Sequence, residues 1–504
     1  MFTSFLIPSV FEGVHARHLC VFYAQLGAYG RDQVSFVGEP AYFESPATLA
    51  AAGRPEWSPS WRAAYGYEPP EDLAGVVYET LPPGLLTPRL RRLGSSWKVY
   101  GQLLTKRLPE VEAALEHALQ ALARRSGVEA VLAFANNPSL SHVARMHDLP
   151  VVHCEYGPLR PPDYVMTGYW DRRGVSWGSD AARRYREFRR ASIAAAVPVL
   201  DRHELLSVLR RTPLPAAPTP SEARYRVGIA LQGDDNACVH GVNALDLLSM
   251  ARRQHAPEDI LLRYHPGSLT RLSETMAVID TSDSPTAFIQ QCEAVLTVSS
   301  GTALEALLLG RRAVVIGDSP FALAAERRLE PAAKAASESE RLRILNFLVF
   351  GYLVPGALMF DASYLRWRLT NPSELDIYRH HQRWYRTRML EQPGPHQLRP
   401  SVLASTKLLD AVPSGGAPAA LVLFGAGAAT PALAASLQPR RFAVTAIFDN
   451  DAARWGSALA GVPIEPPEYR ADTSVVVASL THADAIVGQL RALGYPAERV
   501  LRLR

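Results

Sequence analysis

Two pieces of sequence decide the fold: LLRYHPGS (Leu261–Ser268) and AVLTVSSGTALEALLLGRRAVVIGDSPF (Ala294–Phe321). Each begins with a short apolar run and breaks into a polar or glycine-containing turn. The first run delivers His265-Pro266, and the run AVLTV delivers Ser299-Ser300-Gly301-Thr302. ALEALLL then reads as a helix that leads through Gly310 into the strand AVVIG. A strand, a helix and another strand in this order predict a parallel α/β sheet, with polar groups at the carboxyl ends of strands, where open α/β sheets bind ligands.

Those polar groups suit an anion. Helix N-termini carry free N–H groups and a partial positive charge. Ser299, Ser300 and Thr302 add hydroxyl donors, and Gly301 allows a close backbone approach. His265 ends a neighbouring strand and can donate to the same phosphate. Glu305 lies in the first helical turn, within reach of a ribose diol. Plain N-capping is the simpler reading of Ser-Ser-Gly-Thr alone; the strand-end His-Pro beside it favours a phosphate pocket.

With 504 residues, the chain is long enough for two or three domains. Its 48% hydrophobic and 20% charged content is that of a globular protein, and a net charge of +4 indicates no nucleic-acid surface. Cys20, Cys154, Cys238 and Cys292 follow no metal or disulfide spacing, which fits a reduced cytoplasmic setting. MFTSFLIPSVFEG lacks the basic start and long apolar core of a signal peptide. The longest apolar stretch, Ile344–Phe360, is broken by Gly351, Pro355 and Gly356 and reads as a buried helix-turn rather than a membrane contact.

Three domains are expected: 1–210, a Rossmann-like unit; 222–410, a second Rossmann-like unit with C-terminal helices; and 420–504, a smaller Rossmann-like unit. Val128–Ala135 reads as a strand ending at Asn136-Asn137, Ser139–Asp148 as a short helix and Leu149–Arg160 as a strand with a polar exit. Thr105–Ser126 has the apolar spacing of an amphipathic helix. Pro- and Ala-rich stretches near 210–221 and 412–420 read as linkers. In the last unit Gly425-Ala426-Gly427 resembles a dinucleotide loop, but Thr430 stands where the third glycine belongs, and Asp449 ends the next strand. Asp449-Asn450-Asp451 is read as a strand-end turn and not as a metal motif.

Further candidates stand at strand ends. LQGDDNACVHG (Leu231–Gly241) follows the strand RVGIA, so Asp234 and Asp235 project beside His265; an Asx-turn is the alternative. HCEYGPLRPPDY places Glu155 as an acid/base group or as a partner of Arg160. Asp171 and Gly174 form another polar turn.

These motifs resemble GT-B glycosyltransferases that use CMP-activated sugars. YHP and SSGTALEALLLG are similar to the His-Pro and Ser-Ser/Thr elements of bacterial sialyltransferases and of capsule and O-antigen Kdo transferases. EYGPLRPPDYVMTGYWDRRGVSWG resembles the retaining β-Kdo transferases. There a Gln-x-x-x-Asp segment supplies an aspartate nucleophile, and LQGDDN is one residue short between Gln232 and Asp235. The nucleophile is therefore Asp235 or Asp234. The final unit resembles the Rossmann-like start of sugar acyltransferases through FDNDAARWGSALAGVPI. The resemblance implies an α/β fold of two Rossmann-like domains plus a third. It implies transfer of Kdo from CMP-Kdo, bound by 222–410, to a lipid-linked bacterial surface-polysaccharide acceptor on the side of 1–210, with peripheral contact at the inner membrane. No metal or cofactor is required. Arg160 or Arg263 would meet the sugar carboxylate. Two alternatives remain: another donor (CMP-sialic acid or a nucleoside-diphosphate sugar), or a non-catalytic subunit of a polysaccharide assembly complex.

Overall fold

The computed structural model describes residues 1–11, 16–51, 62, 67–211, 223–233, 239–265, 272–273, 275–330, 337–391, 419–427, 430, 433–434, 442–478 and 482–502. The chain forms two compact units, residues 1–195 with 216–381, and residues 196–215 with 382–504. Its class is α/β, with three parallel-rich, Rossmann-like sheets of seven, five and six strands.

The first sheet begins with β1 (Phe2–Phe5), β2 (Val34–Gly38), β3 (Val77–Thr80), β4 (Ala130–Ala133) and β5 (Val151–Tyr156), all parallel. β1 and β4 are buried at every position, as strands covered on both faces must be. β6 (Thr167–Asp171) pairs antiparallel with β5, setting His153 opposite Asp171 and Glu155 opposite Tyr169. The expected amphipathic helix spans Pro109–Ser126. Proline occupies its first turn with Glu110 and Glu112, Arg124 and Arg125 lie in its last turn, and Gly127 at φ 68° ends it. Its Val111, Leu115, Leu119 and Leu122 pack on the sheet.

The second sheet is wholly parallel, in the order β11-β10-β7-β8-β9. Its strands are β7 (Tyr225–Ala230), β8 (Ile260–Arg263), β9 (Val278–Ile279), β10 (Cys292–Thr297) and β11 (Arg312–Val315). Gly228 on β7 is needed for space: a Cβ there would lie 2.5 Å from the Cys292 sulfur and 2.7 Å from the Phe288 ring.

After the second sheet the chain returns to the first. The helix Glu338–Asn346 widens into a π-helical segment, Phe347–Tyr352, and β12 (Leu353–Pro355) then pairs antiparallel with β6 at the edge of the first sheet. The apolar stretch Ile344–Phe360 is thus helix, wide turn and edge strand, and Val354, Tyr364 and Leu365 join the core beneath β1 and β4. The segment from Leu353 joins the first sheet, because its apolar side chains fill that core. Arg184 fastens this return: it pairs with Glu374 at 2.9 Å and donates to the carbonyls of Trp170 and Gly351.

In the second compact unit, β13 (Ala419–Phe424) lies between β14 (Phe442–Phe448) and β17 (Ser474–Val477). β15 (Ala458–Leu459), β16 (Val462–Glu465) and β18 (Val500–Arg502) complete it. The Asp449 carboxylate accepts the Ala426 N–H at 2.6 Å and the Asp451 N–H at 2.8 Å. It therefore ties the glycine turn and its own turn together through local hydrogen bonds.

Candidate functional site

β10 ends at Thr297, whose hydroxyl donates to the Ala230 carbonyl of the adjacent β7 at 3.0 Å. That bond locks two strand ends side by side. Ser299, buried, follows: its N–H donates to Gln232 Oε1 at 2.8 Å, and its hydroxyl lies 3.1 Å from Gln232 Nε2 and 3.2 Å from His240 Nε2. Ser299 is therefore held by the loop after β7. The next turn is also internally bonded. Ser300 Oγ accepts the Thr302 N–H at 3.2 Å and lies 3.1 Å from the Thr302 hydroxyl. The helix Thr302–Leu308 starts there, with Glu305 buried in its first turn.

Gly301 has an ordinary helical φ of −58°. Its lack of a side chain answers a contact, since a Cβ there would sit 2.2 Å from Cβ of Pro158, on the loop after β5. The two sheets meet at this point. His265 lies half-buried just beyond the end of β8. Pro266 and the two aspartates Asp234 and Asp235 lie outside the described residues.

The two arginines proposed for a substrate carboxylate have partners of their own. Arg263 pairs with the buried Asp280 carboxylate and donates to the Ser282 carbonyl at 3.0 Å. Arg160 folds back onto the carbonyls of Gly157 at 2.6 Å and Tyr156 at 2.9 Å. Glu155 is half-buried on β5. Both Glu155 and Arg160 act on the buried Tyr169 hydroxyl, whose pKa burial raises first and Glu155 raises further, while Arg160 opposes the shift.

Between the carboxyl ends of the first sheet and loops of the second lies a cleft of about 610 Å³. The first sheet contributes Asn136, His142, Arg145, His153, Arg173 and Trp177; the second contributes His240 and Asp318. Its wall is fixed by polar anchors. Asn136 Nδ2 donates to the carbonyls of Val175 and Trp177, both at 3.0 Å, and its Oδ1 accepts the Val175 N–H at 2.8 Å. Asn137 caps the helix Pro138–Met146 by accepting the Leu140 N–H. The fully buried Asp171 accepts N–H bonds from Arg173, Gly174 and Asp180. Burial pushes the pKa of Asp171 up, against the opposing pull of Arg184 and those N–H groups.

The sheets also touch across this cleft. The Gly178 N–H donates to Asp318 Oδ2 at 2.7 Å, and the Trp177 ring meets His240 edge-on, with centroids 5.8 Å apart. Burial lowers the His240 pKa, with Asp318 opposing, so its imidazole faces Ser299 in the neutral form at neutral pH. His153 is more strongly affected: burial drives its pKa down to about 4.

Sequence reading did not select Asn136, Trp177, His240 or Asp318 as site residues. For His240 a signal existed, since it closes the same LQGDDNACVHG segment that supplied the acidic candidates.

Residues 4–180 match the Glycosyltransferase 99 family N-terminal domain. The matched segment runs from within β1 through β6 and supplies most of the cleft wall. A comparison with curated proteins finds no match. Among solved structures, the β-Kdo 2,7 transferase of Thermosulfurimonas dismutans KpsC is similar at 15% identity, covering 50% of this chain and 89% of that one, with a TM-score of 0.31. The β-Kdo 2,4 transferase of the same protein is similar at 18% identity, covering 44% and 79%, with a TM-score of 0.28. The glycosyltransferase SnogD from Streptomyces nogalater is similar at 15% identity, covering 76% and 95%, with a TM-score of 0.24.

Proposed function

We propose that the protein is a retaining glycosyltransferase that moves Kdo from CMP-Kdo onto a surface-polysaccharide acceptor. The observation that carries the reading is the junction of Ser299, Gln232 and His240 at the strand ends of the second sheet. It opens on a cleft whose other wall is the glycosyltransferase domain. Ser300, Thr302 and His265 would receive the single phosphate of the donor, whose modest charge hydroxyl and imidazole donors can stabilise without a metal. Asp235 or Asp234 would attack the anomeric carbon as the bond to the phosphate oxygen breaks and CMP leaves. The acceptor hydroxyl then displaces the carboxylate and gives up its proton to a base, for which Glu155 is the candidate. A lipid-linked acceptor, with peripheral contact at the inner membrane, completes the proposal. Among the described residues, no helix is long and apolar enough to cross a membrane.

The test is a melting-temperature screen with CMP, UDP and GDP, followed by transfer assays with their sugars. A ligand bound only by the folded state raises the melting temperature. Stabilisation by CMP alone, turnover of CMP-Kdo, and its loss in Asp235→Ala or Asp234→Ala with CMP binding kept are the expected results. Stabilisation by UDP or GDP with CMP inert would transfer the site to another donor, and no turnover with any sugar nucleotide would end the enzymatic reading.

A further inference from the structure

The cleft between the two sheets has an uneven charge. Arg145 and Arg173 both line it, both are exposed, and no hydrogen bond or ion pair to either guanidinium is found among the described residues. A third cation, Arg107, is held by Glu112 at 2.6 Å. The one described carboxylate on the lining, Asp318, accepts the Gly178 N–H. Cations in a concave site focus their field on whatever enters it.

Both arginines sit on fixed supports. The Arg173 N–H donates to buried Asp171 at 2.7 Å, and Arg145 lies in the last turn of the Asn137-capped helix. Trp177 lines the same cleft on a turn held by Asn136, and brings an aromatic side chain to it. His153 also lines it, almost fully buried, with its Nδ1 lacking a hydrogen-bond partner.

We propose that this cleft is the acceptor site and that it takes an acidic glycan, with the carboxylate or phosphate of one sugar residue held by Arg145 and Arg173. The proposal rests on the glycosyl-transfer reading only for the word acceptor; the binding of an acidic sugar stands or falls separately. The donor-side groups Ser300, Thr302 and His265 are not on the lining, which comes mainly from the first sheet.

The test uses the full chain and three probes: methyl β-glucuronide, glucose 6-phosphate and methyl β-glucoside. Their affinities are measured by calorimetry, with wild type compared against Arg145→Gln/Arg173→Gln. Both arginines are exposed, so the variant should unfold at the wild-type temperature, which is checked first. At least one acidic probe should bind about tenfold or more tightly than the neutral glucoside, the usual scale of one charge-assisted contact. The variant should lose that preference while its affinity for CMP stays the same. Equal affinity for acidic and neutral probes, or an unchanged preference in the variant, overturns the site. A variant that loses affinity for CMP-Kdo but keeps the acidic-probe preference assigns the arginines to the donor's carboxylate instead. Failure of the nucleotide screen with the acidic preference intact would refute glycosyl transfer and leave the anion site standing.

Discussion

Replacing Gly301 with alanine tests how the two sheets are joined. The added Cβ would lie 2.2 Å from Cβ and 3.0 Å from Cα of Pro158. Carbon atoms pack at about 3.5–4.0 Å, so roughly 1.3 Å of movement is required. Neither side gives easily. Around Pro158, the Gly157 N–H donates to the Thr167 carbonyl at 2.7 Å, the Leu159 N–H donates to the Thr167 hydroxyl at 3.2 Å, and the Thr167 N–H donates to the Leu159 carbonyl at 3.0 Å. On the other side, the Gly301 carbonyl accepts the Leu304 N–H at 2.9 Å and the Glu305 N–H at 3.3 Å, so moving it disturbs the first helical turn.

Overpacking of this kind costs about 1–3 kcal/mol, and the double anchoring points to the upper half of that range. Urea unfolding followed by circular dichroism should show the loss as a lower midpoint. Pro158→Gly in the same chain should recover about 1 kcal/mol or more of it as a coupling energy. A Gly301→Ala protein within about 0.5 kcal/mol of wild type, the range of neutral surface changes, would refute the steric argument. If such a protein also lost nucleotide binding, the glycine would be serving the ligand's approach and not the Pro158 contact.

Two further outcomes follow from the first sheet. His153 has its pKa lowered by burial to about 4 from 6.5, so the unfolded chain binds the extra proton first as pH falls. The corresponding stability is fully present above pH 6.5 and is lost progressively as pH falls from 6.5 to 4, about 2 kcal/mol of it between pH 7 and pH 4.5. His153→Gln should lose less stability than wild type over that interval in urea titrations, and identical pH slopes would contradict it. Asp171→Asn should cost about 1–3 kcal/mol, because its amide presents N–H groups to backbone N–H donors. Hydrogen exchange should speed up selectively at Arg173 and Gly174, which share one carboxylate oxygen, or at Asp180, which uses the other, and unchanged protection at all three would show that the carboxylate does not hold the turn.

What was legible in the sequence was local. Apolar runs ending in polar turns marked β4, β5, β7, β8 and β10, because strand period and turn chemistry are written within a few residues. The helix Pro109–Ser126 announced itself through its apolar spacing, although the reading began it four residues early, at Thr105. What was not legible depended on partners far along the chain. Leu353–Pro355 carries no mark that it pairs with Thr167–Asp171 and not with the second sheet. Asn136 looked like a strand end, yet its amide holds a turn 39 residues away. Gly301 looked like a ligand-approach glycine, and only the fold brings Pro158 against it.

The arginines show why position alone misleads. Arg160 and Arg263 were natural candidates for a substrate carboxylate because each follows or ends a strand. That same position offers what a guanidinium takes first: the free carbonyls of Tyr156 and Gly157 for Arg160, and the Asp280 carboxylate at the neighbouring strand end for Arg263. Arg184 and Arg368, buried deeper, are engaged likewise, Arg184 by Glu374 and Arg368 by the Tyr364 hydroxyl at 2.6 Å and the face of Trp170. Five donors in a rigid fork make arginine a structural clamp wherever acceptors are dense. A cation free to meet a ligand is then to be sought where backbone acceptors are already used: in the last turn of a helix, or on a turn whose N–H groups and carbonyls are held by side chains. Arg145 has the first setting, and Arg173, braced by Asp171 and next to the Asn136-held turn, has the second.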